Sequence, residues 1–229
     1  MIQAGGHQLL KIKGNNVVKP TKRREMEFYI EVLPRLPELQ EYVPNLYGFG
    51  DLEKVKRLFT EEEYDFCLFK NYNCYIELEN LVNNNVRSII DIKLGSVYWK
   101  SDEEKSIIDA NKEKNKCSIC NEYKFRLDGY IINNVKRTKE ECRKMSVEQV
   151  KDVLKNIGKC HIDIICDWLK RYLIVLKKIK VSIYGPSLLV VISGNGIKLK
   201  LIDFTVYEEG IHNDDLVLGI EKLINILHE

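Results

Sequence analysis

Two widely separated motifs constrain this chain most strongly, because each places a carboxylate at an apolar stretch of β-strand character. The first runs from Ile89 to Gly95 and contains Asp91 and Lys93. The second, at residues 201–204, reads Leu-Ile-Asp-Phe and centres on Asp203. Buried carboxylates are costly unless they are paired or hydrogen-bonded. Two such positions therefore predict a functional site, or alternatively two turns that are capped by aspartate.

The residue types suit phosphoryl transfer from a nucleotide. One carboxylate can hold the nucleotide sugar and the other a metal ion, while a lysine can neutralise charge on the transferred group. Asp203 follows a predicted strand directly, a good position for Mg²⁺, which prefers oxygen ligands. Taken alone, Asp203 is equally compatible with capping a turn. The two motifs together predict an ATP-dependent phosphotransferase.

The composition is that of an ordinary soluble globular protein. With 229 residues the chain can bury a sizeable core, as one domain or as two lobes. A net charge of +2 is too small to indicate a nucleic-acid partner. No stretch has the apolar length of a membrane span and no secretory signal opens the sequence. We therefore expect no membrane partner and a cytoplasmic or nuclear location, or both.

The seven cysteines are scattered and odd in number, which predicts reduced thiols. Cys117 and Cys120 form a C-x-x-C pair in a polar segment. Zinc would need two further ligands, and only Cys142, Cys160 and His161 lie near enough in sequence to supply them. An incidental pair is the simpler interpretation, and metal binding there stays open.

Hydrophobic periodicity predicts a β-rich N-terminal part followed by a mixed α+β part. Residues 7–20 predict a hairpin around Gly14, residues 23–35 a helix, and residues 42–50 a turn-rich stretch. Later strands are predicted over residues 75–81, 88–92, 125–132, 188–192 and 197–202, and later helices over residues 101–116, 146–157, 162–179 and 216–227. A connection near Glu79 predicts two lobes, residues 1–80 and residues 81–229.

Positive charge is concentrated beside the first motif. Residues 93–144 contain 13 basic and nine acidic residues, a net of +4, whereas the whole chain carries +2. Lys105 and Lys112 are two helical turns apart, so they share a helix face that would suit an anion with many phosphates. Interspersed acids such as Glu113 also fit a plain solvated helix. Few aromatic residues lie at stacking intervals, which argues against single-stranded nucleic acid.

Several nucleotide-binding signatures are absent from the sequence. It has no G-x-x-x-x-G-K-[ST] loop, no G-x-G-x-x-G loop and no His-Arg-Asp catalytic loop, which argues against P-loop enzymes and ordinary protein kinases. Lys19 at a strand end and Glu27 on the next helix could nevertheless form the phosphate-binding pair of a two-lobed kinase, or could be a surface lysine and a solvated glutamate.

The motifs resemble those of the inositol polyphosphate kinase family, which includes the hexakisphosphate kinases, the multikinases and the trisphosphate 3-kinases. The family signature P-x-x-x-D-x-K-x-G appears at residues 87–95, with Arg87 in place of proline. Shorter matches lie in the family's order along the chain, at residues 5–7, 17–20, 27–29, 125–129, 143–146, 187–189, 202–204 and 218–224.

This resemblance implies an α+β, two-lobed, protein-kinase-like fold of the ATP-grasp type, with antiparallel sheets and packed helices. It implies that ATP and Mg²⁺ are the cofactors and that the first lobe binds ATP. The residues that it implies for ATP are Lys19, Glu27, Glu79, Leu81, Asp91 and Asp203, of which Glu79 and Leu81 would present backbone to adenine and Asp91 would hold the ribose.

The resemblance also implies the substrate and metal sites. Asp203 would bind Mg²⁺ with help from Ser187, and Lys93 would lie between nucleotide and inositol phosphate. The implied catalytic residues are Lys93 and Asp203. The residues implied for the inositol phosphate are Lys93, Lys105, Lys112 and Arg126, with the substrate-binding segment at about residues 100–124.

Departures from the family pattern refine the expected substrate. Thr205 and Val206 follow the second motif where family members usually have alanine and a polar residue, which removes one expected substrate contact. The short segment at residues 100–124 favours hexakisphosphate kinases or multikinases over 3-kinases. We expect a monomeric, Mg-dependent kinase that acts on inositol hexakisphosphate or lower inositol phosphates. The alternatives are a non-catalytic inositol phosphate sensor of the same fold and an antibiotic phosphotransferase, whose cationic substrates the basic segment disfavours.

Overall fold

The computed structural model describes residues 9–82, 85–116 and 118–229, which form two compact units divided between residues 82 and 85. The matched residues 5–7 and Cys117 lie outside the described ranges. The sequence-based boundary at residues 80 and 81 falls at the end of the first unit. Each unit contains antiparallel sheet and helix.

The first unit is built on a four-stranded antiparallel sheet with the order β1-β2-β4-β3. Its strands are β1 (Lys11–Lys13), β2 (Asn16–Thr21), β3 (Leu46–Asp51) and β4 (Cys74–Glu79). The hairpin predicted around Gly14 is confirmed, because β1 pairs with β2 across that turn. Val18, Leu52 and Cys67 are buried in a common apolar core, so this unit has a core of its own.

Short helices complete the first unit. They are α1 (Arg23–Glu27), α2 (Pro37–Gln40) and α3 (Glu61–Phe69). The helix predicted over residues 23–35 is present but changes winding, because α1 continues as a π-helical turn at Phe28–Val32 and a 3₁₀ turn at Leu33–Arg35. Pro34 lacks the backbone N–H that a continuing helix would need.

The turn-rich stretch predicted over residues 42–50 was wrong in its second half, which forms strand β3. The turn was predicted there because the stretch contains Gly48 and Gly50. β3 lies at the edge of the sheet and pairs with β4 alone, with a register shift between Leu46 and Gly48. Edge strands tolerate glycines and bulges that a central strand would not.

The second unit contains a five-stranded antiparallel sheet with the order β10-β9-β5-β6-β7. Its strands are β5 (Val86–Leu94), β6 (Phe125–Ile132), β7 (Val135–Arg137), β9 (Ser187–Ser193) and β10 (Gly196–Ile202), and a separate pair is formed by β8 (Val181–Ile183) and β11 (Tyr207–Glu209). The central strand β5 carries the first motif, and its Ile90 and Ile92 are fully buried. The long strand is therefore anchored by one apolar face.

The described part of the second unit contains six helices, of which four match predicted ones and the two shortest were not predicted. They are α4 (Lys105–Lys116), α5 (Cys120–Tyr123), α6 (Lys139–Arg143), α7 (Val147–Lys155), α8 (Lys159–Leu176) and α9 (Asp214–His228). Helix α7 begins with a capping box, because Ser146 and Gln149 form both of its reciprocal hydrogen bonds. Among these helices and the rest of the described chain, none is long and apolar enough to cross a membrane.

Helix α9 packs closely against the sheet at one point. A Cβ atom added to Gly219 would lie 2.2 Å from the carbonyl oxygen of Lys124, which immediately precedes β6. No side chain can occupy that space unless the backbone moves. Gly219 therefore allows α9 to approach the end of the sheet that carries the two sequence motifs.

Candidate active site

Strand β5 places two motif residues on one face of the second sheet. Alternation along the strand puts Asp91 and Lys93 opposite the apolar Ile90 and Ile92. Lys93 pairs across the sheet with Ser187 of β9. Asp91, Lys93 and Ser187 thus share what we call the polar face.

Asp203 reaches the polar face from the end of β10. Its Oδ2 lies 4.0 Å from Lys93 Nζ, and its side chain is 31% exposed. Its backbone has φ of +68°, a left-handed conformation that aspartate tolerates better than most residues. The next residue, Phe204, is fully buried, so the chain turns into the core immediately after Asp203. The two sequence motifs therefore meet in space.

Asp91 has an unusual environment for a carboxylate. Its Oδ1 atom is buried, as is Ser187 Oγ, and neither has a hydrogen-bond partner within the described part of the chain. Burial, reinforced by the carboxylates of Asp128 and Asp203, raises the pKa of Asp91 to about 7, against an opposing effect of Lys93. Near neutral pH this group can take up or release a proton.

Asp128 is a buried acid that the sequence motifs did not include. A bulge in β6 makes it an extra residue, because Asp91 pairs with Gly129 and Ile92 with Leu127. Burial pushes the Asp128 pKa upward, but Arg126 and Lys139 outweigh it and hold the pKa below its usual value. The Asp128 carboxylate is 2.8 Å from Arg126 Nε and 2.5 Å from Lys139 Nζ.

Arg126, a predicted substrate contact, lies inside the fold. It is 4% exposed, and its guanidinium donates to Asp128 and to the hydroxyl of Tyr98. These bonds link Arg126 to the bulge that carries Asp128. Contact between Arg126 and substrate stays a prediction.

The segment Gly95–Val97, directly after Lys93, is held by the first turn of α9. The Asp215 carboxylate accepts hydrogen bonds from Ser96 Oγ at 2.7 Å, from Ser96 N and from Val97 N at 3.1 Å. Sequence reasoning missed Asp215, because an acid in the first turn of a helix is common for local reasons.

The helix α4 that carries Lys105 and Lys112 is present as predicted, although it begins at Lys105 and not at residue 101. Both lysines are exposed, and their spacing places them on one face. At the end of α4, the buried Asn115 donates a 2.8 Å hydrogen bond from Nδ2 to the carbonyl oxygen of Ser96. The basic helix is therefore tied to the segment Gly95–Val97.

In the first unit the structure corrects the predicted partner of Lys19. Lys19 Nζ donates to Glu25 Oε1 at 2.7 Å, with both side chains buried, and Thr21 donates to the same carboxylate. Glu27 lies two residues further along α1, about 200° around the helix axis, and so points away from Glu25. The lysine–glutamate pair exists, but with Glu25.

Glu79 and Leu81 lie at and just beyond the end of β4. The Glu79 backbone N–H donates to Asn45 O at 2.9 Å, just before β3 begins. Leu81 is 6% exposed. Residues 80–82 lie outside the strand, so their backbone leaves the ladder there. Contact with adenine at these two residues stays a prediction.

Cys120 is fully buried, and its Sγ donates to Gly95 O at 3.3 Å. Its partner in the C-x-x-C pair, Cys117, falls outside the described ranges, so the structure leaves that pair untested. In the described part of the chain, no group of three or more His, Cys, Asp or Glu residues could hold a metal ion by itself.

Comparison with known proteins decides the family. The sequence profile described as inositol polyphosphate kinase matches residues 75–228, which is most of the chain. This chain belongs to the inositol polyphosphate kinase family. The resemblance inferred from the motifs is thereby confirmed, and the family is one of ATP-dependent phosphotransferases.

Solved structures support the same fold. The inositol phosphate multikinase Ipk2 from S. cerevisiae, solved with ADP and Mn²⁺, is similar with a TM-score of 0.75 and 18% identity, over 94% of this chain and 98% of that one. A second inositol phosphate multikinase structure is similar with a TM-score of 0.63 and 15% identity, over 90% of this chain and 98% of that one. No curated protein sequence matches the chain. At such identities the likeness concerns the fold, and it confirms the protein-kinase-like α+β class.

Proposed function

We propose that this member of the inositol polyphosphate kinase family transfers the γ-phosphoryl group of ATP to a phosphorylated inositol in a reaction that needs Mg²⁺ or a similar cation. The observation that carries the proposal is the 4.0 Å approach of Lys93 Nζ to Asp203 Oδ2, on the face that also carries Asp91 and Ser187. Positioning and charge neutralisation are the main demands of phosphoryl transfer, and these residue types meet them.

The oxygen donors of Asp203 and Ser187 are of the type that a divalent cation such as Mg²⁺ prefers. The buried Ser187 Oγ has no hydrogen-bond partner among the described residues, and Asp203 adds a partly exposed carboxylate. Mg²⁺ is usually held by one or two carboxylates together with substrate phosphates, so a small set of protein donors is expected. The cation would supply charge neutralisation at the transferred phosphoryl group.

Several residues of the first unit have proposed roles in binding ATP. In the first unit we propose that Lys19, oriented by Glu25, binds phosphate oxygens and that the backbone at Glu79 and Leu81 meets adenine. Glu27 would then contribute only at the margin of this site. The yeast relative was solved in complex with ADP and Mn²⁺, which supports a site for a nucleotide and a divalent cation in this chain.

For Asp91 we propose a second role beside the predicted ribose contact. The residue is 8% exposed, shares a face with Lys93, and has a pKa of about 7 because of burial and nearby carboxylates. A general base works best when its pKa is near the working pH. We propose that Asp91 accepts the proton of the attacking hydroxyl.

The substrate would be bound mainly by positive charge. Lys105 and Lys112 present exposed amines on one face of α4, and Asn115 links that helix to the segment that follows Lys93. Phosphorylated inositols are compact anions that match such a face. Both inositol hexakisphosphate and lower inositol phosphates remain within the proposed class.

We also propose a monomer in the cytoplasm, the nucleus or both. The six described cysteines are free thiols, and five of them are buried, which suits a reducing compartment. Size-exclusion chromatography with light scattering tests the first part, and imaging of the tagged protein tests the second.

The decisive experiment measures ATP consumption by the purified protein with Mg²⁺ against a panel of inositol phosphates, with products resolved by charge. Asp203→Ala runs beside the native chain. A product one phosphate heavier that disappears in the variant supports the kinase and identifies its substrate. Tight binding of a panel member without any product would instead favour the non-catalytic sensor.

A further inference from the structure

An aromatic side chain outside the sequence motifs lies near Lys93. Tyr98 lies in the connection between β5 and α4. A Cβ atom added to Gly185 would lie 2.3 Å from Tyr98 Cδ1 and 3.2 Å from Lys93 Cε. The tyrosine ring and the end of the lysine side chain therefore both lie beside the Gly185 backbone.

A buried arginine is a second neighbour of this ring. The guanidinium carbon of Arg126 lies 5.1 Å from the centre of the Tyr98 ring, and Arg126 Nη1 donates to the Tyr98 hydroxyl. That hydroxyl donates in turn to Gly95 O at 3.1 Å. The arginine and the glycine turn both restrict the ring, and its hydroxyl anchors the backbone next to Lys93.

The turn under the ring is itself fixed to the sheet. Pro186 O accepts a 2.9 Å hydrogen bond from Leu94 N, next to Lys93 in β5. Gly185 therefore cannot move away from Lys93 without breaking that contact. Its φ of +59° is a left-handed conformation that favours glycine, and this leaves the space for the ring.

We propose that Tyr98 is a positioning residue for phosphoryl transfer, whose ring restricts the Lys93 side chain to the orientation that brings Nζ to Asp203. A lysine side chain has four rotatable bonds and is otherwise flexible. A fixed wall along its methylene groups keeps the amine in place before substrate arrives, which is the kind of preorganisation that speeds transfer. This inference rests on the proposed function, because it assigns work to Lys93 in that reaction.

The structure separates two contributions of Tyr98. Its hydroxyl ties Arg126 to Gly95 and so contributes to stability, whereas its ring confines Lys93 and so contributes to turnover. If Tyr98 were only structural, the loss of kcat in its variants would follow the loss of stability. If the ring positions Lys93, the two losses separate.

The test compares Tyr98→Leu with Tyr98→Phe, and uses Tyr123→Leu as a control. Tyr123 is also half-buried in the second unit, where its ring packs edge-on against Phe125. Steady-state kinetics and Tm are measured for each folded variant, below its Tm. We expect Tyr98→Leu to lower kcat about 10- to 100-fold, as small misplacements of catalytic groups do. The KM for ATP should change little.

The conservative variant Tyr98→Phe should have a lower Tm than the native chain while it restores kcat to within about threefold, since the ring remains. Tyr123→Leu should lower Tm without a comparable loss of kcat. A Gly185→Ala variant, which puts a methyl group where the ring lies, should lower kcat as Tyr98→Leu does. Parallel losses of kcat in Tyr98→Phe and Tyr98→Leu, or native kcat in Tyr98→Leu, would overturn the inference.

The same assay distinguishes the two levels of proposal. If the native chain turns over and Tyr98→Leu has the same kcat, the inference about Tyr98 is wrong. The proposed function is then still supported. Absence of turnover in the native chain with every inositol phosphate removes the proposed function, and the inference falls with it.

Discussion

At the scale of single residues, the polar face holds carboxylates in contrasting environments. Asp91 is buried in the middle of a strand, whereas Asp203 follows a strand with its side chain 31% exposed beside Lys93. Different environments allow chemically identical groups to take different roles in one reaction. The exposed carboxylate suits a cation, and the buried one suits a proton.

Asp91 makes stability depend on pH. Its native pKa of about 7 lies above the ordinary value of 3.8, so between these values the native state keeps a proton that the unfolded chain releases. Stability contributed by this group should therefore fall as the pH rises. Between pH 5 and pH 8, we expect the free energy of unfolding to fall by on the order of 2–3 kcal/mol relative to Asp91→Asn. Urea unfolding of both proteins at each pH measures this, and a constant difference would contradict it.

Asp215 provides a second test at this scale. Asp215→Ala removes the acceptor of Ser96 N, Ser96 Oγ and Val97 N. Unsatisfied buried donors cost about 1–3 kcal/mol each, so we expect a loss of about 2–4 kcal/mol in the free energy of unfolding. The neighbouring Asp214 is exposed, and Asp214→Ala should cost less than about 1 kcal/mol. Equal losses in urea unfolding would show that Asp215 acts only through its position in the helix.

At the scale of elements, the helices α4 and α9 converge on one short segment. Asp215 of α9 and Asn115 of α4 both hydrogen-bond to Ser96, which follows the catalytic strand β5. These bonds fix α4 relative to the strand that carries Lys93. If α4 binds substrate as proposed, the packing of elements contributes to where the substrate lies relative to the polar face.

Close packing of α9 predicts an inverted substitution effect at Gly219. Alanine normally stabilises a helix by about 1 kcal/mol relative to glycine. Here the new Cβ would lie 2.2 Å from the backbone of Lys124, so we expect Gly219→Ala to lower the free energy of unfolding by about 1–3 kcal/mol. Gly194→Ala, at a site with nothing within 4 Å, is the control and should change it by less than about 0.5 kcal/mol. A stabilised Gly219→Ala protein would refute the close approach.

The basic face of α4 predicts a specific kinetic signature. Lys105→Ala and Lys112→Ala should each raise the KM for inositol phosphate by about tenfold or more, because a charged hydrogen bond contributes about 1.5 kcal/mol or more. The kcat should stay near the native value, and the effect should shrink as salt screens the charges. The control Lys170→Ala alters an exposed lysine on α8. An equal effect of Lys170→Ala would mean that net charge, and not α4, attracts the substrate.

At the scale of the whole molecule, each of the two units has its own sheet and its own residues with proposed roles. Lys19 and Glu25 belong to the first unit, and Asp91, Lys93 and Asp203 belong to the second. Under the proposed function, nucleotide and metal bind the folded chain and not the unfolded one. We therefore expect nucleotide and metal to stabilise the complete chain.

A thermal-shift measurement tests this expectation. At a nucleotide concentration of 100 Kd, ADP with Mg²⁺ or Mn²⁺ should stabilise the native state by about 2.7 kcal/mol, which raises Tm by several degrees. Asp203→Asn should lose the part of the shift that depends on the cation and keep the remainder. An identical cation-dependent shift in native and Asp203→Asn proteins would place the cation elsewhere.

Local patterning in the sequence determined much of the fold. The hairpin at Gly14, the strand at residues 125–132, the capping box of α7 and the final helix each follow from periodicity and turn chemistry within a few residues. The motifs around Asp91 and Asp203 likewise allowed the family to be identified from the sequence. These features could be read from the sequence because the interactions that produce them are local.

Only the tertiary structure decided which side chains meet. The Ser96 and Asp215 partners are 119 residues apart in sequence, and Glu25 replaces Glu27 beside Lys19 through the direction in which a short helix faces. The burial of Arg126 and the position of the Tyr98 ring beside Gly185 depend on how strands and turns pack. Such contacts arise from the close packing of distant elements, and no sequence period encodes them.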